Sequence, residues 1–253
     1  MIDLAQGDSS QLIKQVATSS VDLLFTDPPY NLAKYSTGNI ALPWRKTINN
    51  DLAEWDLSEF QPKDWADEFI RVLKPTGNLV IFTSYNQIGK WHDVLDDKFD
   101  TFQFGVWHKT NPIPKFQRAG FLNSCELIIF CWNKGHTWNF TKQNEMHNFF
   151  EYPICMGKER LKDPSHPTQK PVKLLKHIMQ IASNPGDVVY DPFMGVGSTG
   201  AAALELDRSF IGAELDGNFY RAACGRLGVN PVDDVVPDDE VIDASVIPAP
   251  DVV

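Results

Sequence analysis

The chain has 253 residues, 43% of them hydrophobic and 22% charged, an ordinary globular balance with length enough for a substantial core. No apolar run approaches the ~20 residues that span a bilayer, and "MIDLAQGDSSQLIKQ" lacks the basic-then-apolar layout of a signal peptide, so a membrane role is not expected. The net charge of −10 is uneven: seven acids and no Lys or Arg fall in residues 231–253, and −3 remains without those seven, so charge does not exclude a nucleic-acid partner. In chain order, the pattern predicts a helix at 9–17, a strand at 21–26, a helix at 58–73, a strand at 78–84 and a helix at 86–97. Strands at 102–109 and 126–132 follow, joined without a helix and therefore read as an antiparallel pair at a sheet edge. A helix at 171–183, a strand at 187–191, a helix at 198–207, a strand at 209–214 and a helix at 216–227 complete the body. The alternation is that of an α/β sheet.

Residues 31–57 and 133–170 resist regular assignment, and loops of that length inside a domain are commonly functional. The tail, 231–253, has four prolines and no helical or alternating period and reads as a disordered, solubilising segment. Cys125, Cys131, Cys155 and Cys224 form no CxxC pair and no His/Cys cluster, so neither a disulfide framework nor a metal site is expected.

Two stretches carry chemistry. In "GDVVYDPFMGVGSTGAAALELDRSFIGAELD", residues 186–216, a strand ends in Asp191, Gly195 and Gly197 make a tight turn into a small-residue helix, and the next strand ends in Glu214. Glycines admit close approach of a ligand to the backbone, and an acid after the following strand is placed to accept from ribose hydroxyls. The unit lies too near the C-terminus to be followed by a second mononucleotide half, which disfavours NAD and leaves a smaller adenosine-containing ligand. The second stretch, "LLFTDPPYNLAKY", ends an apolar strand with Asp27, Pro28, Pro29 and Tyr30. Proline rings stiffen the turn, so the Asp27 carboxylate and the Pro28 carbonyl are presented as two acceptors beside an aromatic face. Two acceptors and a ring suit a planar base bearing an exocyclic NH2.

"TDPPYN", "HPTQKP" (166–171) and "DPFMGVGSTG" together resemble the S-adenosylmethionine-dependent DNA amino-methyltransferases, and catalytic motif first with cofactor motif last resembles their permuted beta group. The resemblance covers roughly residues 2–228 and extends to "GDSSQLIKQV", "VLKPTGNLVIFTSYNQ", "WHKTNPIPKF" and "NSCELIIFCWNKG". It implies a Rossmann-like methyltransferase fold over residues 1–230, mostly parallel with an antiparallel edge hairpin, with a target-recognition insertion at 133–165 and a cofactor region at 166–216. It implies that Asp27, Pro28, Pro29 and Tyr30 act on the target base, the first two accepting from its amino group and Tyr30 stacking on it. Asp27, Asp191, Phe193, Gly195, Gly197 and Thr199 would line the cofactor, Glu214 would hold its ribose, Thr168, Gln169 and Lys170 would form a second cofactor segment, and Asp8 would contact its adenine. DNA contacts are expected from Lys34, Tyr35, Arg45, Lys46, Lys109, Lys115 and Arg118. Asp at the head of the tetrapeptide resembles the adenine methylases more than the cytosine-N4 enzymes, which carry Ser there. Asn there would instead resemble RNA or protein amide methyltransferases, and intact Asp27, Tyr30, Gly195 and Glu214 speak against a non-catalytic module. No cysteine follows a proline, which disfavours a covalent route to cytosine carbon 5. The resemblance places such a protein in a prokaryotic or phage-infected cytoplasm, acting on double-stranded DNA without a metal. Seven Trp and sixteen Phe leave room for an apolar interface, and a homodimer is among the expectations.

Overall fold

The computed structural model describes residues 1–31, 40–42, 45–48, 60–114 and 120–232, with 40–42 and 45–48 described as backbone alone. Lys34, Tyr35, Lys115, Arg118 and tail residues 233–253 lie outside the described residues, as do the side chains of Arg45 and Lys46.

The elements run β1 (Ile2–Gln6), α1 (Ser9–Gln15), β2 (Val21–Thr26), β3 (Ile40–Leu42), β4 (Arg45–Ile48), α2 (Ala66–Val72), β5 (Leu73–Thr83) and α3 (Ile88–Leu95). After them come β6 (Thr101–Lys109), β7 (Cys125–Trp132), β8 (Phe149–Tyr152), α4 (Val172–Ala182), β9 (Val188–Asp191), α5 (Ser198–Leu204), β10 (Ser209–Glu214) and α6 (Gly217–Leu227). Eight strands form one sheet in the order β1-β10-β9-β2-β5-β7-β6-β8, and β3 pairs with β4 in a small antiparallel hairpin. Within the eight-stranded sheet only β7 runs against the rest, pairing antiparallel with both β5 and β6.

The β3–β4 hairpin falls in a segment left unassigned, and two strands of the large sheet were not legible as strands. Ile2–Gln6 is short and half polar, and it becomes β1 by lying parallel to β10, Ile2 opposite Phe210 and Gln6 opposite Glu214. Phe149–Tyr152 becomes β8 by pairing parallel with β6, which puts one strand outside the expected edge hairpin. The other departures are at ends. β5 starts at Leu73 rather than Asn78, because "KPTG" reads as a turn and is absorbed as a bulge between the Val21–Leu73 and Leu23–Asn78 pairs. The helix expected from residue 58 is delayed by Pro62, which opens a short 3-10 turn before α2.

Period-2 alternation sorts the strands' side chains into two cores. Leu23, Phe25, Val80 and Phe82 face α4, α5 and α6, whereas Leu24, Leu79 and Ile81 face α1, α2 and α3. Burying each such side chain is worth about 1.5–3 kcal/mol. Helix ends are set locally: Asp216 caps α6 by accepting from the Asn218 and Phe219 amides at 2.8 and 3.0 Å, and Gly228, at φ +72°, ends it. Among the described residues no helix is long and apolar enough to cross a membrane.

Candidate active site

The parallel strands deliver their C-terminal ends to one edge of the sheet, bringing Gly7 and Asp8 (after β1), Glu214 (β10), Asp191 (β9), Asp27 (after β2) and Ser84 (after β5) into line. From the neighbours β9 and β2 the chain proceeds outward in opposite directions, to β10 and to β5, which makes the gap between them the crevice where open α/β sheets bind ligands.

On the β9 side, Gly195 (φ +53°) and Gly197 (φ +74°) make the turn into α5 in a conformation that L side chains disfavour. A Cβ at Gly195 would lie 3.1 Å from the His166 imidazole, and one at Gly197 would lie 3.1 Å from the Ala223 methyl. The Gly195 amide donates to Glu214 at 3.0 Å and the Asp216 amide donates to its other oxygen at 2.8 Å, leaving each oxygen a lone pair for a hydroxyl. Asp8 caps α1 through the Ser10 amide at 2.8 Å, and the Gly7 amide donates to the Glu214 carbonyl at 3.0 Å, so the two acids are neighbours. The Phe193 ring stands 4.8 Å from Trp65 and 5.8 Å from Phe60, forming an aromatic wall.

Asp191 is 2% exposed, and its Oδ1 accepts from the Thr26 hydroxyl at 2.8 Å and from the Phe193 amide at 3.1 Å. Burial pushes its carboxyl up to about 7, the hydrogen bonds from Thr199 and Thr26 restraining the rise. The Thr26 contact ties the two sequence motifs into one site.

On the β2 side, Asn31 holds the turn in the left-handed region (φ +55°) while its amide clamps Phe60, donating to the carbonyl at 2.6 Å and accepting from the amide at 3.1 Å. Asn86 donates to the Tyr30 carbonyl at 3.0 Å. The Tyr30 hydroxyl donates to Asp27 at 2.6 Å, and the Lys170 ammonium is ion-paired with the other Asp27 oxygen. Burial raises the Asp27 carboxyl, with Lys170 pulling against it. Burial and then the Asp27 charge push the Tyr30 phenol well above its usual range. Lys170, expected in the second cofactor segment, is half of this ion pair.

Gln169 bridges its own loop, donating to the Glu159 carbonyl at 2.8 Å and accepting from the Leu161 amide at 3.0 Å. Thr168 is exposed. Lys109, expected among the DNA contacts, has its ammonium 2.7 Å from Glu126 and its side chain 16% exposed. Glu126, 15% exposed, was missed altogether, since an acid opening "ELIIFCW" reads as a strand end, and only the pairing of β7 between β5 and β6 brings it to this edge. The antiparallel course of β7 also carries residues 133–148 to the opposite edge of the sheet, where Asn139 fastens them to the Gln180 and Ser183 carbonyls at 2.9 Å. Residues 153–165 return to the Asp27 edge after β8.

Asp27, Asp191 and Glu214 make this edge acidic, all three carboxyls are raised by burial, and no cation pairs with Asp191 or Glu214 among the described residues. Such a crevice fits a cationic, ribose-bearing ligand, and among the described residues no group of acids, His and Cys could hold a metal. Sheet order, glycine turn and strand-end acids are those of the class I S-adenosylmethionine-dependent methyltransferases. Within that class the chain belongs to the N6/N4 DNA methylase family, whose model matches residues 21–224. The type II methyltransferase M.HinfI of Haemophilus influenzae is 32% identical over 245 residues, 88% of this chain and 67% of its own length. M2.LlaDCHI of Lactococcus lactis subsp. cremoris, also a type II methyltransferase, is 30% identical over 240 residues, 88% of each chain. Among solved structures, the M1.HpyAVI complex with SAM superposes at a TM-score of 0.68, 29% identical, covering 90% of this chain and 100% of that one. The cytosine-N4-specific PvuII DNA methyltransferase superposes at 0.67 with 18% identity over 95% and 89% of the two chains, a likeness of fold alone.

Proposed function

We propose that this DNA methyltransferase methylates the N6 amino group of adenine at specific sites in double-stranded DNA. The observation that carries the reading is the Asp27 carboxylate and the Tyr30 ring standing together at the crevice beside Asp191 and Glu214. The cofactor is S-adenosylmethionine, which when bound supplies the methyl group from its sulfonium and departs as S-adenosylhomocysteine. Asp27 and the Pro28 carbonyl accept from the target NH2, which keeps the nitrogen lone pair directed at the methyl and holds the reacting atoms in line. Tyr30 stacks on the base, a contact worth about 1–3 kcal/mol that offsets part of the few kcal/mol needed to flip it out of the duplex. Asp27, its carboxyl raised by burial against the pull of Lys170, is placed to receive the proton that the amine loses. Glu214 holds the ribose, with Asp8 beside it at the adenine. Asp191, Phe193, Gly195, Gly197 and Thr199 line the rest of the cofactor.

The segments that follow β2 and β6 leave the sheet at this same edge. Lys34, Tyr35, Arg45 and Lys46 in the first, and Lys115 and Arg118 in the second, are the proposed phosphate contacts, with residues 153–165 as the remaining recognition segment. The motif order is that of the permuted beta group, and the cytoplasm is where such an enzyme meets its DNA. Asp at the head of the tetrapeptide favours adenine over cytosine.

The test is transfer of labelled methyl to unmodified genomic DNA followed by nucleoside analysis, with Asp27→Ala as control. N6-methyladenine that disappears in the variant is the expected result. Labelled N4-methylcytosine would reassign the base, and unlabelled DNA despite intact cofactor binding would move the search to RNA or protein.

A further inference from the structure

Both oxygens of Asp27 are already engaged, Oδ2 by the Lys170 ammonium and Oδ1 by the Tyr30 hydroxyl at 2.6 Å. The same two donors reach one further atom, Glu126 Oε2, at 3.3 Å from Lys170 and 3.2 Å from Tyr30. The other oxygen of Glu126 is held by Lys109 at 2.7 Å. Each Asp27 oxygen keeps a second lone pair for a target amino group, but an amino group bound there competes with the donor already held and loosens it. A donor leaving a carboxylate in a desolvated site needs another acceptor within reach, because an unpaired buried cation or hydroxyl is strongly disfavoured. We propose that Glu126 is a positioning residue for methyl transfer, its Oε2 being the second seat onto which Lys170 and Tyr30 shift when Asp27 takes the target amino group. The inference rests on the reading of Asp27 as that acceptor.

The surroundings suit such an exchange. The Lys170 ammonium lies 4.9 Å from the Phe82 ring centre and 5.4 Å from that of Tyr30, so a small step between carboxylates leaves it within the same aromatic walls. Lys109 keeps Glu126 from following Lys170 toward Asp27. Burial works to raise the Glu126 carboxyl, yet Lys170 and then Lys109 hold it down at about 2, so the second seat stays charged throughout the working range.

The sign of the pH dependence separates this role from that of a strut. The charged and titratable groups facing Asp27 are Tyr30 on its own loop, Lys170 ahead of α4, Glu126 on β7 and Asp191 at the end of β9. Lys109 on β6 acts through Glu126, and His166, lowered to about 4 by burial and then by Lys170, is neutral. Neutralising Glu126 removes a like charge from Asp27 and gives Lys170 wholly to it, and both effects lower the Asp27 pKa. Neutralising Lys109 frees Glu126 to draw Lys170 away, which raises it.

The experiment is kcat against pH, between about pH 5 and pH 9, for the full chain with saturating S-adenosylmethionine and unmethylated genomic DNA. Glu126→Gln is expected to lower kcat by about tenfold or more, with cofactor affinity changed by less than about threefold. Its acid limb moves down by about half a pH unit, the Lys109→Gln limb moves up, and Glu126→Asp, which keeps the charge, lies between Gln and wild type. Equal losses in Gln and Asp variants with every limb unmoved would overturn the proposal, as would full activity of Glu126→Gln. Should Glu126→Gln fail to fold, Lys109→Gln decides alone: an upward limb supports the second seat, and an unmoved one overturns it. Asp27→Ala, which leaves no side-chain acceptor, separates the two readings. A fully active Asp27→Ala sinks the acceptor role itself, whereas an inactive one alongside unmoved limbs sinks only the role of Glu126.

Discussion

Replacing Asp191 by Asn should make the protein more stable above neutral pH, although Asp191 belongs to the cofactor crevice. The carboxyl is 2% exposed, accepts from Thr26 and Phe193, and has no cation against it among the described residues. Burial lifts its pKa from 3.8 to about 7. Because the folded value is raised, the stabilisation associated with the protonated acid is present in full below 3.8 and is lost as pH climbs through about 7. At about 1.4 kcal/mol per unit, the shift amounts to roughly 4 kcal/mol at pH 8, of which about 2.5 kcal/mol develops between pH 5 and pH 8. Asn keeps an acceptor for Thr26 and Phe193 but carries no charge, so whatever it costs in packing is the same at every pH. Urea denaturation of both proteins at the two pH values measures the double difference directly. Asp191→Asn should gain about 2.5 kcal/mol on wild type between pH 5 and pH 8. A difference that stays flat with pH would show that Asp191 is not destabilised by its ionisation, and the electrostatic account of the crevice would have to be abandoned. Added S-adenosylmethionine, as a cation, should stabilise wild type at pH 8 more than it stabilises the variant.

Other predictions concern packing, the base platform and the tail. A Cβ at Gly212 would lie 2.5 Å from the Met194 sulfur and 2.7 Å from the Phe210 ring, so Gly212→Ala should lower stability by about 1–3 kcal/mol in thermal or denaturant unfolding; an unchanged Tm would show that Met194 moves freely. Tyr30→Phe should keep the stacking face and reduce methyl transfer modestly, whereas Tyr30→Ala should lose a further tenfold or so, corresponding to about 1–3 kcal/mol of stacking; equal losses in single-turnover assays would put the hydroxyl ahead of the ring. Removing residues 231–253 takes away seven acids and should tighten DNA binding at low ionic strength, with the gain fading as salt rises; filter binding at two salt concentrations that shows no gain at the lower one would dismiss competition between tail and DNA.

By itself the sequence determined the alternation of strands and helices, and with it the parallel sheet, because period-2 and period-3.6 patterns are local properties of contiguous residues. It also determined the two motif sites, since stiff proline turns, positive-φ glycines and strand-end acids are each set within a few residues: Asp27, Asp191, Gly195, Gly197 and Glu214 stand at one edge as their positions at strand ends imply. What the chain could not announce was anything resting on a partner distant in sequence. Ile2–Gln6 and Phe149–Tyr152 are strands only because β10 and β6 offer them an edge. The direction of β7 was legible as an antiparallel pairing, but its consequence was not: residues 133–148 are carried away from the site and Glu126 into it. Lys109 and Lys170 read as free cations along the chain, and tertiary structure alone pairs them with Glu126 and Asp27 across 17 and 143 positions. The physical reason is that hydrophobic period and turn geometry are written in neighbouring residues, whereas the charge state and partner of a buried side chain depend on which strands the sheet brings together.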